Sequence, residues 1–382
     1  MEAYITAISS FLPNDPVSNS EMEKILGMIN KVPSRTRRII LRNNKIKQRY
    51  YAIDPTTLLQ THTNAEITAE AIRNLQPDDN FSLEQIECLC CGTSSPDQLM
   101  PGHASMVHGE LANGPCEVVS TAGICACGVS ALKNACMQVA TRLSNNAVAT
   151  GSELASTYMR ASFCGQVSKQ HCDDILTKPE LSFESDFLRW MLSDGAGAAF
   201  ISPKPARDGI SLKVEWIDQI SSAHELPTCM YAGAIKDNSG NIQGWRSLPS
   251  LFDAIDQHAF LIKQDVKLLN EEVVPTAVNR ALIPISKKRQ LKPDEVTWFV
   301  PHYSSDYFRE PMFQRMKDSG FHIPYHRWFS NLENKGNTGS ASIYIMLDEL
   351  FHSGKLKRGD KILCFVPESG RFTMYYMLLS VV

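Results

Sequence analysis

A chain of 382 residues, 43% hydrophobic and 21% charged, is a folded globular protein with enough apolar material for about two ordinary cores. Its net charge of −3 excludes a general electrostatic pull toward nucleic acid or anionic membrane, so any charged partner must be recognised by a local patch. No stretch approaches the roughly 18 apolar residues a membrane helix needs, and the opening "MEAYITAISSFLPNDP" lacks the basic-then-apolar pattern of an export signal, so a cytoplasmic location is expected.

In chain order, "AYITAISSFLP" reads as a strand ended by Pro13 and "THTNAEITAEAIRNL" as a helix with apolar residues at helical spacing. The buried strand "IECLCCGTS", the strand "CEVVST", the helix "GVSALKNACMQVATRL" and the strands "AVATGSE" and "AGAAFISP" follow. The second half repeats the pattern: a helix "EEVVPTAVNRALIPI", a strand "VTWFVPH", a helix "SASIYIMLDELFHSG" stopping at Gly354, then the strand pair "DKILCFVPESG" and "FTMYYMLLSVV". Strands alternating with helices predict an α/β chain with mainly parallel sheets covered on both faces. A Pro- and charge-rich break at 202–209 divides it into halves 1–205 and 206–382, and 155–190 fits neither half and reads as an insertion capping a pocket.

Eleven cysteines, odd in number and scattered through a chain with no export signal, do not form a disulfide framework. "CLCC" and "CAC" lack the C-x2-C spacing that brings two thiolates to one zinc, so no metal is expected, and most of these cysteines read as small buried hydrophobes.

Three places carry the residues of thiol catalysis. In "STAGICACGVSALKNA", Cys125 sits where a strand gives way to a helix, and the helix dipole's positive end would lower its pKa. Cys127 lies further into the turn and reads as packing. In "WFVPHYSSDYF" a strand ends at Pro301 and delivers His302 to a sheet's carboxyl edge, where α/β proteins bind ligands. In "NLENKGNTGSASI", Asn337 stands in a loop just before a helix, where its amide can donate to developing negative charge. Each has a plain alternative: a small core cysteine, a satisfied core histidine, an ordinary turn. The conjunction of all three at strand–helix junctions is what points to chemistry.

With these residues in place the chain resembles the thiolase-fold condensing enzymes, closest to the ketoacyl-ACP synthase III group. "ITAISSFLPNDPVSNSEM", "CGTSSPDQLMPGHASMVHGEL", "SDGAGAAF", "PHYSS" and "GNTGSASI" are similar to that family's motifs, and the similarity runs from residue 4 to 382. The resemblance implies duplicated mixed-sheet halves in a five-layered α-β-α-β-α arrangement, a homodimer, no cofactor, and an acyl carrier protein as partner. In the family the nucleophile is followed by Ala-Leu at the sixth and seventh positions; Ala131 and Leu132 meet that count from Cys125. The implied roles are Cys125 as nucleophile, His302 and Asn337 stabilising a thioester enolate, and backbone N–H groups of Cys125 and Gly370 holding the oxyanion. "NNAVATGSELAS" is the expected dimer strand.

The sequence departs from the family where "FVPESGRF" replaces a Gly-rich loop, keeping only Gly370, and where no aromatic residue stands near Ile39 to stack on adenine. A carrier-bound acyl group is therefore expected rather than a CoA primer. Residues 35–49 hold seven Lys or Arg and no acid; Arg38, Arg42, Lys45 and Lys47, with Arg309 by family position, form the expected docking surface for an acidic carrier. A solvated strand pair would share that composition. The stretch also resembles the branch that makes dialkylresorcinol-type lipids, which implies the joining of two fatty-acid-like thioesters, one of them β-ketoacyl. Chain initiation with malonyl-ACP, acyl transfer without condensation, a papain-like hydrolase and an inactive partner subunit are the alternatives; the last two are disfavoured by the missing "C-G-S-C-W" and by the intact triad.

Overall fold

A computed structural model of the chain describes residues 2–164, 187–237 and 239–382. Nine strands form its main sheet: β1 (Tyr4–Phe11), β2 (Cys88–Thr93), β3 (Glu117–Thr121), β4 (Ala147–Glu153), β5 (Gly195–Ser202), β6 (Leu212–Ser221), β7 (Trp298–Pro301), β8 (Lys361–Glu368) and β9 (Thr373–Val381). Their order is β7-β8-β9-β6-β1-β5-β4-β2-β3. The join in the middle is short, with β1 meeting β6 at Tyr4–Lys213 and Ile5–Leu212.

The sheet is mixed rather than mainly parallel. β2 runs parallel to β3 and β4, and β7 parallel to β8, whereas the other neighbouring pairs are antiparallel. The β8–β9 pair shows why: Ser369–Phe372 close it as a hairpin, which needs no crossover helix.

Side-chain alternation along the strands sorts the interior into three apolar layers. On β4, Val148 faces helices α1 (Asn64–Arg73) and α2 (His103–Leu111), joining Ile67, Ile72 and Leu89. Its neighbours Ala147 and Ala149 face the opposite way, into the layer holding Val129 and Leu132 of α3 (Cys127–Ala140). On β8, Ile362, Cys364 and Val366 point into that same middle layer, while Leu363 and Phe365 point outward to a third. The third layer is covered by α4 (Val266–Pro275), a π-helical turn (Thr276–Leu282), α5 (Ile283–Arg289) and α6 (Arg309–Asp318). The middle layer also holds α7 (Ser342–His352), whose Tyr344 donates to Gly128 O at 2.8 Å. Helix, sheet, helix, sheet and helix thus stack as five layers, each sheet face paired with an apolar helix face.

Two local features position the site. α1 begins at a capping box in which Thr63 and Glu66 satisfy each other's backbone N–H groups. The turn Gly339–Ala341, ahead of α7, approaches α3 and β4 so closely that a Cβ on Gly128 or Gly151 would collide with Ser340 O. Glycine there is a requirement of contact between layers.

Three expectations change. Residues 37–44 form a helix, Arg37–Asn44, rather than a strand pair, with the Arg37 guanidinium 5.0 Å over the Trp190 ring. "AVATGSE", expected at a dimer interface, is the internal strand β4, buried along its whole length between β2 and β5. Of the proposed insertion, 155–164 form two short helices and 165–186 lie outside the described residues.

Candidate active site

The chain leaves β3 through Gly123 (φ 136°) and Ile124 (φ 47°), then makes a single tight turn, Ile124–Ala126, into α3. A β-branched residue in the left-handed region is strained, and that strain sits beside the proposed nucleophile. Cys125 is buried yet borders two cavities. Cys127 borders neither. Its Sγ donates to Ile124 O at 2.8 Å, so it packs as expected.

His302 follows the last residue of β7, and its N–H donates to Phe365 O at 2.8 Å. Its Nε2 is buried with no hydrogen-bond partner among the described residues, and burial lowers its pKa to about 4. The imidazole is therefore neutral at physiological pH. Asn337 is pinned on both sides by backbone bonds, its N–H to Met191 O (2.9 Å) and its carbonyl from Ser193 N (2.8 Å). Its Oδ1 accepts from Gly339 N at 2.9 Å, which leaves Nδ2 as the donor.

The larger cavity, about 360 Å³, is lined by Cys125, Asn337, Glu153 and Ser94 together with apolar residues such as Leu188, Met191 and Ile262. The smaller, about 30 Å³, holds Cys125 and His302 against Leu269, Val273, Met312 and Phe365. Cys125 is thus shared, with Asn337 on one side and His302 on the other. All three residues singled out from the sequence meet here.

The electrostatics differ from expectation. Burial, reinforced by the carboxylates of Glu153 and Glu368, pushes the Cys125 pKa up rather than down. A one-turn approach to the helix does not outweigh burial and two nearby acidic side chains. Burial thus favours the uncharged form of both the Cys125 thiol and the His302 imidazole, and the two border the same small cavity.

The assignment of Gly370 is also corrected. Its N–H donates to Glu368 Oε1 at 2.5 Å, and it borders neither cavity; Ser369 borders both. Glu153 and Glu368 were missed from the sequence. Glu153 ends β4 and accepts from Ser94 N (3.1 Å), Ser94 Oγ (2.9 Å) and Ser95 Oγ (2.7 Å). Only its place at a strand's carboxyl end in "GSE" could have marked it.

Of the basic residues, Arg38 and Arg42 are exposed one turn apart on the helix Arg37–Asn44. Lys45 pairs with Asp306 at 2.7 Å and Lys47 with Glu333. Arg309 reaches the same Asp306 at 3.9 Å and lies over the Tyr325 ring at 4.8 Å. Asp306, four residues after His302, therefore ties Lys45 of the basic stretch to the segment that carries His302. Among the described residues no group of three or more His, Cys, Asp or Glu side chains could hold a metal, and no helix is long and apolar enough to cross a membrane.

Residues 286–372 match the family model for the C-terminal region of 3-oxoacyl-[acyl-carrier-protein] synthase III. Over 372 residues the chain is 23% identical to the β-ketoacyl-[acyl-carrier-protein] synthase III of Porphyromonas gingivalis, covering 95% of this chain and 92% of that one. The crystal structure of 3-oxoacyl-[acyl-carrier-protein] synthase III from Aquifex aeolicus superposes with a TM-score of 0.69 at 20% identity, covering 99% of both chains. Xanthomonas campestris OleA, solved with lauric acid and lauroyl-CoA bound, gives 0.72 at 18% identity, covering 100% of this chain and 99% of that one. The fold of this chain is the thiolase fold of those synthase structures.

Proposed function

We propose that the protein is a ketosynthase III-like condensing enzyme that joins two fatty-acid-like acyl thioesters through an acyl group on Cys125. The observation that carries this reading is one thiol bordering two adjoining cavities, with His302 lining one and Asn337 the other. Cys125 sulfur attacks the first thioester as its proton passes to His302, and the carrier thiol leaves. His302 hands that proton to the departing carrier sulfur and, neutral again, takes one from the α-carbon of the second, β-ketoacyl, thioester, to be returned to the Cys125 sulfur when it leaves; the enolate oxygen is met by the Asn337 Nδ2. Attack of that carbon on the acyl-enzyme forms the C–C bond and breaks the C–S bond, returning the thiol. Where the acyl group on Cys125 carries a 2,3-double bond, conjugate addition of the γ-carbon of the β-ketoacyl part to its β-carbon closes a cyclohexanedione, the precursor of a dialkylresorcinol. A β-ketoacyl donor suits the site because its α-carbon is already acidic and needs no decarboxylation.

In this reading the substrates arrive on a soluble acyl carrier protein in the cytoplasm. The carrier docks on Arg38 and Arg42, with Lys45, Lys47 and Arg309 behind them, and the exposed Ile39 offers no aromatic face for adenine. The equivalence of β1-β5-β4-β2 with β6-β9-β8-β7 supports the division into halves 1–205 and 206–382. Purified enzyme is to be supplied with an acyl-ACP, saturated or 2-enoyl, and either a β-ketoacyl-ACP, which with the 2-enoyl group can close the ring, or malonyl-ACP. A ring product with the former, detected by mass spectrometry, is expected. Carbon dioxide and a linear β-ketoacyl product with malonyl-ACP only would replace this reading with chain initiation, and transfer to an oxygen or nitrogen acceptor would indicate an acyltransferase.

The same reading includes a symmetric dimer, now placed on β3. Among the described residues that strand is the open edge of the sheet, largely exposed along Glu117–Thr121, and Leu99 and Met100 nearby are 79% and 84% exposed. An unpaired edge with apolar flanks is a template for a second copy. Light scattering is expected to give twice the chain mass, and Val119→Pro, which disrupts the ladder, to shift it toward the monomer; a monomeric parent protein would contradict the placement.

A further inference from the structure

Glu368 is a buried carboxylate beside the nucleophile that none of the steps above uses. It ends β8, and its oxygens accept three backbone N–H groups of the following hairpin: Gly370 at 2.5 Å, Arg371 at 3.1 and 3.2 Å, and Thr373 at 3.2 Å. From the other side, Gly370 O accepts from Cys229 N at 2.7 Å. A Cβ on Gly370 would collide with Glu368 Oε1 and Ile124 Cδ1, and Phe372 is held at φ 60° with its ring fully buried. A short turn is thereby wound around a side-chain anion. Of residues 369–371, the N–H of Ser369 is left without an acceptor among the described residues, and Ser369 borders both cavities beside Cys125.

We propose that Glu368 is the positioning residue of the oxyanion site: its carboxylate gathers the N–H groups of Gly370, Arg371 and Thr373 and so presents the Ser369 N–H to the carbonyl oxygen of a thioester under attack by Cys125. A Gly-rich loop reaches such a conformation through backbone freedom; here an internal anion imposes it on "ESGRF". The arrangement has a cost, because the same charge raises the Cys125 pKa. Glu368 therefore acts in opposite senses on two reactions of one sulfur. Acyl transfer develops an oxyanion and needs the Ser369 N–H; alkylation by iodoacetamide develops none and is only slowed by the nearby charge.

This inference rests on the acyl-transfer reading of Cys125, and the experiment separates the two. Wild type, Glu368→Gln and Glu368→Asp are treated with octanoyl-N-acetylcysteamine, a thioester that needs no carrier docking, and separately with iodoacetamide, and modification of Cys125 is followed by peptide mass spectrometry. Gln replaces half of the acceptor set with a donor; Asp keeps the charge but is one methylene short. Acyl loading is expected to fall about 100-fold in both variants. Alkylation is expected to speed up in Glu368→Gln and to hold steady in Glu368→Asp. Loading that persists at the wild-type rate, or loading and alkylation that fall in parallel, would overturn the positioning role, as would failure of both variants to fold. A wild-type protein that is alkylated at Cys125 but never acylated would instead remove the acyl-transfer reading, and this inference with it.

Discussion

Replacing Cys125 with alanine is expected to abolish acyl loading, while Cys127→Ala leaves it intact. The two thiols differ in access rather than in chemistry. Cys125 borders both cavities, and Cys127 is fully enclosed with its Sγ committed to Ile124 O. Removing a nucleophile that forms a covalent intermediate costs on the order of a millionfold in rate, which here falls below detection. Cys125→Ala removes a single sulfur from a residue that already borders open space, so the fold should persist and the loss can be assigned to chemistry. Intact mass after incubation with acyl-ACP checks this. An acyl adduct surviving on Cys125→Ala, or one lost on a folded Cys127→Ala, would reverse the assignment.

Asn337→Ala is expected to separate the two half-reactions. Loading places negative charge on the oxygen of the acyl group bound to Cys125, which backbone N–H groups serve. Condensation would place it on the enolate oxygen of the second substrate, where Asn337, which lines the larger cavity with its Oδ1 committed to Gly339 N, is expected to donate through Nδ2. Loss of one such donor costs roughly 100- to 1000-fold. The variant should therefore still acquire an acyl group on Cys125 and fail to release condensed product. Asn337→Asp is the companion variant, because it keeps the oxygen that accepts from Gly339 N but loses the donor. If loading falls as far as condensation in both, Asn337 serves the first step and the division of labour is wrong.

The strands and helices around the site were legible because both sheets are covered on both faces. β2 and β4 are buried end to end and read as short runs of small and apolar residues, and α3 and α7 carry clear helical periodicity. Cys125, His302 and Asn337 were legible because each stands at a junction between elements. What escaped depended on partners distant in the chain. The basic helix at 37–44 buries only Ile40 and Asn44, too few to show a period, and is anchored by Trp190. The parallel or antiparallel sense of a strand, and whether it is central or edge, are settled by neighbours, so β4 was mistaken for an interface strand. Glu368 binds backbone N–H groups, which carry no residue identity, and so left no pattern to find.

The uncharged state of Cys125 has a consequence for the protein's chemical durability. Peroxide oxidises thiolates, and a low-pKa catalytic cysteine exposes that form continuously to whatever oxidant reaches it. Here burial and the nearby Glu153 and Glu368 push the Cys125 pKa up, away from the thiolate form. On the proposed reading, reactivity is withheld at rest, and Cys125 is expected to form sulfenic acid slowly when the protein is treated with peroxide.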